Sequence, residues 1–356
     1  MNELAPSLGV AEPKARVHVF TLGGTIAAQH DPGGSGAGVV PTATAPQLLR
    51  MVSVNDAIAV TASDFSMLPS GDLQVEDLAV LAVEIDRILE GGSHDRPGNG
   101  GIDGVVVTQG TDTMEEAGYL LSLLVTSKKP VIVTGAMRNP TVAGSDGPAN
   151  LLAAITVAGS PVARELGCVV LFNDQLHDPR WVRKTHTSNV AAFSSAPAGP
   201  IGWVSEGSLV LIAHPDRPIP IIATGRPELP AVALLTCGFG DDGRIADALL
   251  GLGFHGVVVE ALGGGHVSKA AAERLVRLAT EVPVILASRT GGPVLSQTYG
   301  FIGSEIDLLS RGLLSAALLD GRKARVLLTL LLRAGLRGPQ LAVEFSRRAQ
   351  LTAAER

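Results

Sequence analysis

Residues Gly104-Val105-Val106-Val107-Thr108 run straight into Gln109-Gly110-Thr111-Asp112-Thr113 and then Met114-Glu115-Glu116-Ala117. The first five carry no charge and are rich in β-branched side chains, as in a short strand buried on both faces. From Asp112 to Val125 the apolar residues recur with helical spacing. A buried strand that opens through a polar loop into a helix is the repeating unit of a parallel sheet covered on both sides.

The same unit recurs on either side of this stretch. Val17–Thr21 meets Gly23-Gly24, and Pro130–Thr134 meets Gly135-Ala136. A helix through Asn150 to Val157 follows, with Ser145-Asp146 as its caps, and Gly167–Phe172 is a further strand. Five prolines between Leu211 and Pro230 then forbid a helix or a central strand. The rhythm restarts with Ala231–Thr236, a helix to Leu252, Gly256–Leu262, a helix over Ser268–Thr280, Pro283–Ser288 and a closing helix over Gly321–Leu336. The expected fold is α/β in two domains: a larger N-terminal parallel-sheet domain over 1–212, a Pro-rich linker over 213–230, and a smaller C-terminal parallel-sheet domain over 231–356.

Composition narrows the function. Of 356 residues, 46% are hydrophobic and 17% charged, which excludes a disordered chain. A net charge of −6 offers no broad basic surface, so neither nucleic acid nor a membrane surface is an expected partner. The apolar runs Val326–Leu332 and Gly256–Leu262 fall far short of the ~20 residues of a spanning helix. Met1–Arg16 has no apolar run and carries Glu3 and Glu12, unlike a signal peptide, so a cytoplasmic protein is expected. Cys168 and Cys237 are too few for a disulfide scaffold, and the eight histidines show no metal-ligand spacing. No metal or cofactor is expected.

In open parallel sheets ligands sit beyond the carboxyl ends of the strands. Three polar clusters fall there: Thr21–Thr25, Thr108–Thr113 and Thr134–Asn139. Thr25 follows two glycines and is either a helix cap or, with a base nearby, a nucleophile. Thr111 or Asp112 can cap the next helix, with Glu115 or Glu116 complementing its dipole; both can also face a ligand, and Asp112 suits an ammonium group. Ser70, in Leu68-Pro69-Ser70-Gly71-Asp72, reads as a turn residue. Lys184 either extends along the surface or, buried beside a hydroxyl, serves as a base. The glycine run Gly33–Gly38 follows no strand and suits a lid better than a dinucleotide loop.

Taken together, Thr21-Leu22-Gly23-Gly24-Thr25-Ile26-Ala27 and Gln109-Gly110-Thr111-Asp112-Thr113-Met114-Glu115-Glu116 resemble the two threonine motifs of the bacterial-type L-asparaginases, the two-domain threonine amidohydrolases. Gly135-Ala136-Met137-Arg138, Ser145–Leu151, Trp181–Phe193 and Lys323–Leu328 extend the resemblance from about Val17 to about Leu336. It implies hydrolysis of the side-chain amide of L-asparagine to L-aspartate and ammonia, through a threonine nucleophile and an acyl-enzyme. It also implies an active dimer, usually doubled to a homotetramer. By the resemblance, Thr25 is the nucleophile, and Thr111, Asp112 and Lys184 form a second catalytic group. Ser70 and Gly71 lie where the substrate carboxylate is held, Asp112 where its ammonium is held, and Glu305 where a neighbouring subunit contributes an acid. The chain departs from the family at Leu22 (usually Thr), Gln109 (usually His) and Gly71 (often Gln), at Gly240–Asp241, where the family has an Asn, and in a lid, Gln29 to Thr44, without a tyrosine. These departures leave open a related amidohydrolase acting on L-glutamine or a D-amino acid amide, or an inactive amino-acid-binding homologue. Tyr299, near Glu305, is the candidate replacement for the lid tyrosine.

Overall fold

The computed structural model describes residues 14–30, 38–91, 101–222 and 230–350. Most of the glycine run read as a lid, Gly33 to Ala37, lies outside the described residues, as do 223–229 of the linker and the N-terminal stretch 1–13. The chain divides into two compact units, Met1–Arg217 and Pro218–Arg356.

The first unit contains β1 (Ala15–Gly23), β2 (Ala28–His30), β3 (Val39–Pro41), α1 (Ala45–Leu49), β4 (Ile58–Leu68), α2 (Val75–Glu90), β5 (Gly104–Thr108), α3 (Met114–Leu124), β6 (Val131–Thr134) and α4 (Gly147–Ala158). It continues through β7 (Cys168–Phe172), β8 (Gln175–His177), β9 (Arg183–Lys184), β10 (Phe193–Ser194), β11 (Gly202–Ser205) and β12 (Ser208–Leu211). Eight of these strands form one sheet in the order β12-β11-β8-β7-β6-β5-β1-β4. Neighbours from β4 to β7 run parallel, whereas β8 and β11 pair antiparallel. The antiparallel flank differs from the all-parallel expectation. It follows from Asn173-Asp174, both at positive φ, which reverse the chain within two residues of β7.

Side chains of the central strands alternate between two covered faces. Val106, Ile132 and Val169 share a core with Leu151, Ala154 and Ile155 of α4, while Val170 on the other face touches Gly118 of α3. Each fully buried aliphatic side chain of this kind contributes about 1.5–3 kcal/mol. Strand β4 was not legible beforehand; at the sheet edge its eleven residues are mostly half-buried, so they lack an unbroken apolar run.

The second unit holds β13 (Val232–Thr236), β14 (Gly256–Ala261), α5 (Lys269–Ala279), β15 (Val284–Ser288), α6 (Glu305–Ser310), β16 (Leu314–Ser315), α7 (Gly321–Arg333) and α8 (Gly338–Ala349). Its four strands pair in parallel in sequence order. The helix expected between β13 and Leu252 is only a 3-10 turn, Arg244–Ala248. Gly238, Gly240, Gly243, Gly251 and Gly253 crowd that stretch, and three of them stand at positive φ. Asp320 caps α7 by accepting the Lys323 amide at 3.0 Å and also takes the buried Lys323 Nζ at 3.1 Å. Burial works against the Asp320 carboxylate, but Lys323 outweighs it and holds the acid below its ordinary range.

Candidate active site

Strands β4, β1 and β5 are consecutive and parallel, so their carboxyl ends lie side by side. Ser70, Thr25 and Thr111 each follow one of these ends within three residues.

The turn after β1 exists because Gly23 and Gly24 adopt φ of 97° and 77°, a region side chains disfavour. Space imposes a second demand. A Cβ on Gly24 would lie 2.1 Å from the amide nitrogen of Gly110. The Gly24 N–H donates to the Leu68 carbonyl at 3.2 Å. The turn is therefore clasped between the ends of β4 and β5. Thr25 opens a 3-10 turn, Thr25–Ala27, whose cap position belongs to Gly24, so Thr25 is not the cap. Its half-buried hydroxyl makes no hydrogen bond to another described residue.

The expected cap of α3, Thr111 or Asp112, is corrected to Thr113. Thr113 spends its hydroxyl elsewhere, donating to the Ser70 carbonyl at 2.9 Å. That bond ties the 3-10 turn Ser70–Asp72 to the loop after β5 and leaves Thr111 and Asp112 outside the helix. Ser70 is buried, and its Oγ lies 2.7 Å from where a Gly110 Cβ would stand. Gly71 is exposed and has open space beside it.

Lys184 reaches this cluster from β9. Its Nζ donates to Thr111 Oγ1 at 2.9 Å and to Asp112 Oδ1 at 2.6 Å. The lysine side chain is 16% exposed and the aspartate 80%, so the pair adds at most ~1 kcal/mol to stability. Its effect is orientation. With the ammonium occupying one side of Thr111 Oγ1, the hydroxyl's own proton must point elsewhere.

Glu305 belongs to the second unit, at the start of α6. Its carboxylate is fully buried, accepting the Thr298 and Tyr299 amides at 2.9 and 2.8 Å and meeting His266 Nε2 at 3.1 Å. Burial alone would push this carboxyl up, but the Tyr299 and Thr298 N–H groups outweigh it and hold it below its ordinary value. The His266 ring stands edge-on to Tyr299 and Phe301, with centroids 4.8 and 5.2 Å away.

Two site residues escaped the sequence reading. Glu115 stands in the first turn of α3, as a complement to the dipole requires, but it is also buried, and Lys184 N–H donates to its Oε2. No local signal marks which of two consecutive acids at a helix start is buried: Glu76 and Asp77 of α2 form such a pair, and neither is. Asp146 stands at the N-cap of α4, as its sequence position implies, but its carboxylate makes no capping bond and takes the Met137 and Arg138 amides at 3.0 and 2.8 Å, shaping the loop after β6. Thiol chemistry is disfavoured, because burial pushes Cys168 up strongly and Cys237 up to about 11. Among the described residues no cluster of three His, Cys, Asp or Glu side chains could hold a metal ion.

Both units have counterparts among known proteins. Residues 16–217 match the family described as asparaginase, N-terminal, and 231–343 match the glutaminase/asparaginase C-terminal domain. An L-asparaginase of Bacillus licheniformis is 32% identical over 89% of this chain and 95% of its own. A probable L-asparaginase of Deinococcus radiodurans is 34% identical over 90% and 94%. The crystal structure of a probable cytoplasmic L-asparaginase from Campylobacter jejuni superposes with a TM-score of 0.81 at 31% identity, over 93% of this chain and 99% of that one. With both of its units matched and full-length relatives above 30% identity, the chain belongs to the asparaginase family.

Proposed function

We propose that this protein is an L-asparaginase, hydrolysing the side-chain amide of L-asparagine to L-aspartate and ammonia. The observation that carries the reading is Lys184 Nζ held on both Thr111 and Asp112, in a loop whose Gly110 touches the turn bearing Thr25.

Thr25 Oγ attacks the amide carbon, and the Thr25 proton passes to the departing ammonia. The C–N bond breaks and an acyl ester remains on Thr25. Water then adds to the ester, releases aspartate and restores the hydroxyl. A threonine hydroxyl is a weak nucleophile near neutrality and needs a partner that moves its proton. Backbone N–H groups in the clasped glycine turn suit the developing oxyanion, and losing one such donor typically costs ~3–4 kcal/mol. In this reading Asp112 takes the substrate ammonium, and Ser70 with Gly71 the α-carboxylate. Glu305 enters through the Tyr299 loop that it braces, as the acid that a neighbouring protomer supplies. The active unit is then a homo-oligomer, a dimer or dimer of dimers, and the protein resides in the cytoplasm.

Ammonia release measured over a panel of L-asparagine, L-glutamine and D-amino acid amides tests the reading. The expected result is the highest kcat/KM with L-asparagine. Preference for another amide reassigns the substrate, and aspartate binding without any ammonia release makes the protein an inactive amino-acid binder.

A further inference from the structure

We propose that Glu115 is a positioning residue for the reaction, acting through Lys184; the inference rests on the proposed function. Lys184 lies on β9, which among the described residues pairs with β10 alone, in a two-stranded ribbon separate from the eight-stranded sheet. The main-sheet ladder therefore does not fix where this lysine starts. Glu115 supplies that fixed point. Its carboxylate, on the first turn of α3, accepts the backbone N–H of Lys184 across 69 positions of sequence. The far end of the same lysine is held by Thr111 and Asp112. One five-residue stretch, 111–115, thus grips Lys184 at both its amide and its ammonium.

The chemistry of the grip also needs explaining. Glu115 is 1% exposed, and taking a carboxylate out of water costs several kcal/mol unless charge and hydrogen bonds offset it. The amino end of α3 offsets part of that cost, and the Lys184 amide offsets more. A lysine side chain has four flexible carbons, so its Nζ is placed accurately only when its backbone is held as well. A shift of ~1 Å at a catalytic group can cost ~100-fold in rate. Glu115 touches neither substrate nor the reacting atoms; it sets where Nζ meets Thr111.

The test is a cycle of four proteins: the parent, Glu115→Gln, Lys184→Met, and the two substitutions combined, with Glu115→Ala as a fifth. Ammonia release gives kcat and KM, and circular dichroism with thermal melting reports the fold. Glu115→Gln keeps the size and one acceptor oxygen, so kcat should fall ~10-fold, and ~100-fold for Glu115→Ala, with KM within about twofold of the parent. In the Lys184→Met background Glu115→Gln should change kcat by less than about twofold, because the group it serves is gone. An equal loss in both backgrounds overturns the proposal, as does a Glu115→Ala protein with parental kcat. Failure of Glu115→Gln to fold also overturns it, by making the residue one of stability alone. A parent inert towards L-asparagine would instead overturn the proposed function.

Discussion

Gly24 and Gly110 meet backbone to backbone: the Cβ that Gly24 lacks would stand 2.1 Å from the Gly110 nitrogen and 2.2 Å from its Cα. This contact brings the turn bearing Thr25 against the loop bearing Thr111, and neither partner can yield, because both are main chain. Gly24→Ala should therefore cost several times the ~1 kcal/mol of an ordinary glycine substitution, given the positive φ as well. Thermal melting is the measurement, and a melting point within 2–3 °C of the parent would show that the turn relaxes freely (about 1 kcal/mol or less). Gly71→Gln is the control. It faces open space and should melt with the parent, while shifting the ratio of kcat/KM for asparagine and glutamine.

Thr25→Ala should reduce ammonia release by at least ~1,000-fold, because in the proposed mechanism Thr25 supplies the oxygen of the ester. Thr25 caps nothing, so the melting point should stay within a few degrees. Calorimetry should still detect aspartate binding. Measurable turnover above a percent of the parent removes Thr25 from the nucleophile's role.

Thr111→Val and Lys184→Met share one hydrogen bond of 2.9 Å and should not add. Each is expected to lower kcat ~100-fold or more, and the double variant to be no worse than the poorer single. Independent losses that multiply would mean that the two side chains serve separate steps.

Acid stability has a source outside the site. His177 is buried on β8, with its Nδ1 2.8 Å from Ser195 Oγ, and burial lowers its pKa from 6.5 to about 4. The unfolded chain binds the proton more readily than the folded one between those values. The stability from the neutral ring is thus complete above pH 6.5 and drains away as pH falls to about 4, by about 3 kcal/mol in all. Urea midpoints at pH 7 and 4.5 should differ markedly in the parent, and less in a His177→Asn protein. An equal acid shift in both would place the sensitivity elsewhere.

What the sequence disclosed follows from how each signal is encoded. Gly104–Thr108 was legible because both faces are buried, leaving an uninterrupted apolar run. Ile58–Leu68 was not, since every position of this edge strand is half-buried or exposed. The Thr25 and Thr111 motifs stood out because loop glycines beside hydroxyls are locally spelled. The cap of α3 was misread because Thr113 gives its hydroxyl to Ser70, 43 positions away, a bond that no local pattern records. Glu115 was hidden for the same reason: its partner lies 69 residues downstream.

The bond between Lys184 and Thr111 spans 73 positions, within a unit that closes at Arg217. A nascent chain still on the ribosome can therefore display Thr25 long before it possesses the lysine. On the proposed mechanism such a chain, and any proteolytic fragment ending before Lys184, would be silent towards L-asparagine. If the proposed roles hold, amide cleavage waits at least on completed synthesis of the first unit.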